Sequence, residues 1–162
     1  MKNRIVLIIL LLSCVAGCNS LPPRPGNDSA RAADCKVADE REIRGLFKLW
    51  DEALESKQAV RVANLYAENA ILLPTVSDKA RIGRNNIEDY FVGFLKKEPR
   101  AEIDPAINRI ETGCNMAVDS GYYKFTFEHT ADVILARYSF TYKYIPGSRR
   151  WFIVSHHSSV VP

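Results

Sequence analysis

Apolar residues fall at Ile43, Leu46, Phe47, Trp50 and Leu54 across residues 40–56, the i, i+3, i+4, i+7 spacing that gives an α-helix one buried face. A second, shorter helix is predicted over 60–66 with Val62, Leu65 and Tyr66 inward, and a third over 85–97 through Ile87, Tyr90, Phe91, Phe94 and Leu95. Between them, 70–73 reads as a short buried strand and 74–84 as loop. After Pro99 the chain turns to residues that favour a pleated surface. Four runs rich in Tyr, Phe, Thr and Val lie at 103–111, 116–127, 133–144 and 151–158, separated by turn-forming stretches at 128–132 and 146–148. Helices first and a meandering sheet afterwards is α+β organisation, not the βαβ alternation of a nucleotide-binding fold. There is no internal repeat, and no P-loop, GxGxxG, HExxH, GxSxG or kinase signature occurs in the chain.

The N-terminal pattern is of a different kind. Lys2 and Arg4 precede an apolar run from Ile5 to Leu12, the charged and apolar regions of a secretory leader, and the run is shorter than the roughly 20 residues that span a bilayer. Val15-Ala16-Gly17-Cys18 resembles the bacterial lipobox, so residues 1–17 are expected to be cleaved as a lipoprotein signal peptide and Cys18 to be acylated. Residues 18–34, with Pro22, Pro23, Pro25 and Gly26, read as a lipidated tether, and 35–162 as one domain. The expected place is the bacterial cell envelope, lipid-anchored at the outer membrane or on the periplasmic face, with Asn19 after the cysteine favouring the outer membrane.

That compartment simplifies the cysteines. Cys14 leaves with the leader and Cys18 is consumed by lipid, so Cys35 and Cys114 are expected to form a disulfide, free buried thiols being the alternative. Charge excludes another class of partner. The 22 basic residues less Lys2 and Arg4 stand against 19 acidic ones, a net +1 without a basic cluster, so nucleic acid is not expected.

Several short segments together carry a resemblance: Trp50 and Leu54, Leu65-Tyr66-Ala67, Leu72-Leu73-Pro74-Thr75, Asp89-Tyr90-Phe91, Asp119-Ser120-Gly121, Ala136-Arg137-Tyr138, and the closing His156-His157-Ser158-Ser159 with Pro162. Spread from Cys35 to the C-terminus, they resemble bacterial stand-alone relatives of the calcium/calmodulin-dependent protein kinase II association domain. These belong to the nuclear transport factor 2-like superfamily, with the SnoaL-like cyclases, ketosteroid isomerases and SgcJ/EcaC-type proteins. The resemblance implies a cone: a curved antiparallel or mixed sheet wrapped over N-terminal helices, with a pocket at the open end and commonly a homodimer through the sheet's outer face. It implies neither kinase activity nor calmodulin as a partner, because those segments lie outside the association domain. Of the arginines that line the kinase domain's pocket, Arg137 matches one, while Ser158 and Lys124 stand at or near the others.

Arg137 is accordingly the first candidate for binding a small anionic ligand; the alternative is a structural ion pair with Asp119 on the neighbouring strand. His156 and His157 point to opposite faces of the last strand, so only one of them can enter the pocket, a hydrogen-bonded wall of the core being the alternative to a ligand contact. Trp50, Tyr66, Tyr90 and Tyr123 are candidate pocket walls, with core packing as the alternative for each, and Arg81 is a candidate cap on the mouth, with a solvated loop cation as its alternative. Asp119 invites comparison with the general base of the isomerases and is the weak catalytic candidate. No metal site and no cofactor is expected. A membrane-tethered binding or assembly module is the leading reading, and a small-molecule enzyme of the isomerase or cyclase type the alternative.

Overall fold

The computed structural model describes residues 35–162; the leader, the tether and Cys18 lie outside the described residues. Helix α1 spans Glu40–Glu55. Asp39 caps it, its carboxylate accepting from the Glu42 backbone N–H, with Glu40 and Glu42 in the first turn complementing the helix dipole. Ile43, Phe47, Trp50, Ala53 and Leu54 make its buried face. Helix α2 is shorter than the sequence pattern suggests, Ala59–Ala63. It ends early because the Leu65 carbonyl already accepts from Ile153 N–H at 2.9 Å, so the chain joins the sheet there and Tyr66 opens a strand. Strand β1, Tyr66–Leu73, is followed by the two-residue β2, Arg81–Ile82, inside the segment expected to be loop. Helix α3, Arg84–Phe94, passes into a 3₁₀ turn at Leu95–Lys97. Gly83, at φ 83°, supplies the left-handed turn before it.

Four long strands complete the chain: β3 (Pro99–Gly113), β4 (Met116–Phe127), β5 (Asp132–Ile145) and β6 (Arg150–Val160). The sheet order is β2-β1-β6-β5-β4-β3, antiparallel throughout except that β1 runs parallel to β6. Alternation sorts the strands cleanly. Ala117, Asp119, Tyr123, Phe125 and Phe127 of β4, the even residues 136–142 of β5, and Trp151, Ile153, His156 and Ser158 of β6 are buried, facing the helices. The core between sheet and α1 is aromatic: Phe47 meets Tyr123, Tyr138 and Phe140, and Trp50 meets Phe125 and Phe140, all with ring centres within 6.4 Å.

Two features tie this frame together. Cys35 and Cys114 form a disulfide with Cα atoms 5.1 Å apart, which joins the start of the domain to the β3–β4 turn. Closing a loop over a separation of 79 residues stabilises the fold by about 4 kcal/mol in the chain-entropy account. The second is a bulge in β3, where the pairing with β4 shifts between Ile103 and Asn108. The displaced segment returns to β4 against Gly121, and a Cβ on Gly121 would stand 2.1 Å from the Ile107 carbonyl oxygen. No side chain fits between those backbones. Gly121→Ala is therefore expected to destabilise the domain by about 3 kcal/mol, read as a lower urea midpoint at unchanged slope.

Candidate functional site

Asp119, Phe140 and His156 stand in one row across β4, β5 and β6, each the register partner of the next, and all three face the helices. His156 is built into the frame by two hydrogen bonds. Trp50 Nε1 donates to the Tyr66 hydroxyl at 3.1 Å, and that hydroxyl lies 2.9 Å from His156 Nδ1. Among the described residues His156 Nδ1 is the one acceptor within reach of the tyrosine proton, and we assign the bond in that direction. In a neutral ring with Nδ1 accepting, the proton sits on Nε2. Burial pushes the imidazole down to about 3, so it is neutral at any physiological pH. The ring stacks on Phe140, with centres 3.9 Å apart, and meets Trp50 edge-on. Its Nε2 is buried and has no hydrogen-bond partner among the described residues.

Asp119 is held from the other side. Tyr138 donates to Asp119 Oδ1 at 2.9 Å, and Asn108 Nδ2 donates to the same oxygen at 2.6 Å and to the Tyr138 hydroxyl at 2.9 Å. Asn108 is oriented in turn by Arg44 of α1, whose guanidinium donates to Asn108 Oδ1 at 2.6 Å. Burial raises the Asp119 carboxyl above the ordinary range, partly offset by the Tyr138 and Asn108 hydrogen bonds. Asp119 Oδ2 is left buried without a partner, as is the Tyr142 hydroxyl on the same face of β5. A buried polar atom without a partner costs about 1–3 kcal/mol, and here three stand on one face of three adjacent strands.

Two clefts lie nearby, one of which reaches the network at Asn108. One of about 390 Å³ lies under the β1–β2 loop, lined by Thr75 and Ser158 among others. Ser158 accepts from the Tyr123 hydroxyl at 2.6 Å and shares a hydrogen bond with Thr75, so a line of hydroxyls runs from this cleft inward. The other, of about 480 Å³, is lined by residues of the β3 bulge, including Asn108, and by Ser120 and Gly121. Among the described residues no group of three or more metal-binding side chains converges, and no helix is long and apolar enough to cross a membrane.

The structure sorts the candidates named from sequence. Trp50, Tyr66, Tyr123 and His156 are buried together on the helix-facing side, while Tyr90 is half-buried beside Arg81. His157 points outward and is exposed. Arg137 must be corrected: it is exposed on the outer face, donating to the Val160 carbonyl at 3.2 Å, and neither lines an interior pocket nor pairs with Asp119. The physical reason is strand alternation. The aromatic set Tyr138, Phe140 and Tyr142 takes the core, which turns Val133, Leu135 and Arg137 to the other side. Lys124, also outward, pairs with Glu102 at 2.9 Å. Sequence reasoning missed Asn108, Arg44, Tyr138 and Tyr142. The last two belong to the alternating aromatic run that was visible, but Asn108 reaches the inner face only past the bulge.

Protonation gives a sign to test. His156 binds its proton less readily in the folded chain than the ordinary value of 6.5, so its contribution is present above about pH 6.5 and lost as pH falls toward about 3. Asp119, raised on folding, works in the opposite sense, favouring the folded state at low pH and losing that contribution as pH rises through its folded value. Denaturation midpoints across pH 3–7 are expected to rise with pH, and the slope to flatten in His156→Gln; a slope unchanged by that substitution contradicts the assignment.

Residues 39–162 match the calcium/calmodulin dependent protein kinase II association domain family. A solved structure from Xanthomonas campestris assigned to the same association-domain class is 38% identical, covering 77% of this chain and 89% of its own, with a TM-score of 0.71. A nuclear transport factor 2-like protein of Pseudomonas putida, at 14% identity, covers 74% of this chain and 84% of its own with a TM-score of 0.64. A Streptomyces avermitilis protein of the same fold, assigned as a dehydratase, is 12% identical and covers 75% and 95% with a TM-score of 0.64. These two show the fold alone, which is the cone expected from the sequence. No curated protein matches the chain. By the extent of the family match and the identity to the Xanthomonas structure, the chain belongs to the calcium/calmodulin dependent protein kinase II association domain family.

Proposed function

We propose that this protein is a lipid-anchored module of the cell envelope that binds a small neutral molecule bearing hydroxyl or carbonyl groups on the helix-facing side of its sheet. The observation that carries the reading is the set of buried, unpaired polar atoms there: Asp119 Oδ2 as acceptor, His156 Nε2 as donor, and the Tyr142 hydroxyl. A guest that accepts from His156 and donates to Asp119 supplies both missing hydrogen bonds in an aromatic surround, which suits a flat or alicyclic body. The helix-facing side offers a carboxylate and a neutral imidazole rather than a cation, so an anion there is disfavoured.

Acylated Cys18 is the proposed anchor. The 16 residues between it and Cys35 reach about 55 Å when extended, enough to hold the domain clear of a bilayer. The outer face of the sheet is the proposed homodimer surface, since Val133 and Leu135 are exposed there beside Arg137. Catalysis is the second reading, favoured by one observation: Asp119 combines a raised affinity for protons with one oxygen held by Tyr138 and Asn108 and the other free, the condition of a general base.

One experiment separates the readings. Cyclic ketones and alcohols are titrated against the protein in D₂O and followed by NMR. Binding that is lost in Asp119→Leu and His156→Phe, without solvent exchange of the ketone's α-protons, is the expected result. Exchange that disappears with Asp119→Asn establishes the enzyme, and absence of any binding refutes both. In the same preparations Cys18→Ala is expected to move the chain from the membrane to the soluble fraction.

A further inference from the structure

Arg81 presents a problem that the row of Asp119 and His156 does not address. Its Nε is buried and has no hydrogen-bond partner, and no carboxylate of the described residues lies within ion-pair distance of the guanidinium. Other arginines near the core are engaged. Arg84 donates to the Tyr66 carbonyl and pairs with Glu68 at 3.1 Å, and Arg100 is held by Asp51 and Glu55. A half-buried guanidinium without a counter-ion is costly unless something supplies one.

Its surroundings describe the missing partner. Arg81 lies 5.7 Å from the centre of the Tyr90 ring, in a groove of about 300 Å³ between the β1–β2 loop and α3. Val76 and Ser77 form one wall, Tyr90 and Phe94 the other, and Lys97 stands at the end with its ammonium over Phe127. Tyr90 stacks on Phe94 with ring centres 5.4 Å apart, which gives the groove a flat aromatic side. Gly93 lies between them on α3, and a Cβ there would meet nothing within 4 Å. A planar body therefore has room against the helix backbone. Asp89 also lines the groove but forms no ion pair with either cation. Two cations and one carboxylate leave a single net positive charge, which matches one carboxylate and disfavours a phosphomonoester dianion.

We propose that this groove is a second binding site, selective for a small monocarboxylate with a flat apolar body, in which Arg81 takes the carboxylate and Tyr90 and Phe94 take the body. A guanidinium fork donates to a carboxylate bidentately, and Arg81 lies over the Tyr90 ring, beside the aromatic side that would take the apolar body. The site stands apart from Asp119 and His156 and does not depend on the reading given to them.

The test uses the full-length chain in detergent, titrated calorimetrically with sodium benzoate and, in parallel, with benzamide, the neutral analogue that reports any partition into micelles. Benzoate is expected to bind in the millimolar range and benzamide at least tenfold more weakly. Arg81→Met removes the charge, whereas Gly93→Leu fills the groove without touching a charge; each is expected to weaken benzoate at least tenfold. Arg137→Met, on the outer face, is expected to leave it unchanged. Should Arg81→Met fail to fold, Gly93→Leu decides alone. The proposal is overturned if benzoate does not bind, if benzamide binds equally well, or if Gly93→Leu retains wild-type affinity.

Discussion

The hydroxyl of Tyr66 is the joint on which this domain turns. It accepts a hydrogen bond from Trp50 on the first helix and donates one to His156 on the last strand, so one oxygen links α1, the first strand and β6. Those elements come from the two ends of the domain, and β1 and β6 form the sheet's parallel pair. Without that oxygen, an indole N–H and an imidazole nitrogen would be left buried and unpaired in an aromatic core. The same bond selects the tautomer of His156 and thereby turns an otherwise inert core histidine into a donor.

A second polar chain mirrors it at the opposite edge of the sheet. Arg44 fixes Asn108, and Asn108 with Tyr138 fixes one oxygen of Asp119. Both chains begin on α1 and end on the sheet, one supplying a donor and the other an acceptor, with Phe140 between them. Each therefore converts helix packing into side-chain orientation. The groove at Arg81 is different in kind, built at the sheet's other edge where β2 and α3 meet, and it carries positive charge. One small cone thus offers an acid and a neutral donor inside and a cation at its flank, which bears on why a single fold accommodates dissimilar guests.

Much of this was legible from the chain. The spacing of Ile43, Phe47, Trp50 and Leu54 located α1 to within a residue of its end, and the four β-rich runs gave the meander, because both signals come from burial on one face. The pairing of Cys35 with Cys114 followed from counting thiols. Tyr66 was misplaced on a helix because its inward spacing suits either period, and only the pairing of Leu65 with Ile153 decides. Arg137 was misread for a more instructive reason: a charge within an apolar strand draws attention, but the aromatic residues on alternate positions determine which face is inside. Asn108 was out of reach because the β3 bulge shifts the strand's pairing, and Gly121, the residue that permits the bulge, lies on the partner strand.

The central claim is that His156 is a neutral, Nε2-protonated donor held by Tyr66. The most direct measurement is the ¹⁵N NMR spectrum of the imidazole in selectively labelled protein across pH. The account predicts a protonated Nε2, an accepting Nδ1, and no titration above about pH 5, with Tyr66→Phe disturbing the tautomer. A ring protonated on Nδ1, or one that titrates near 6.5, would contradict it.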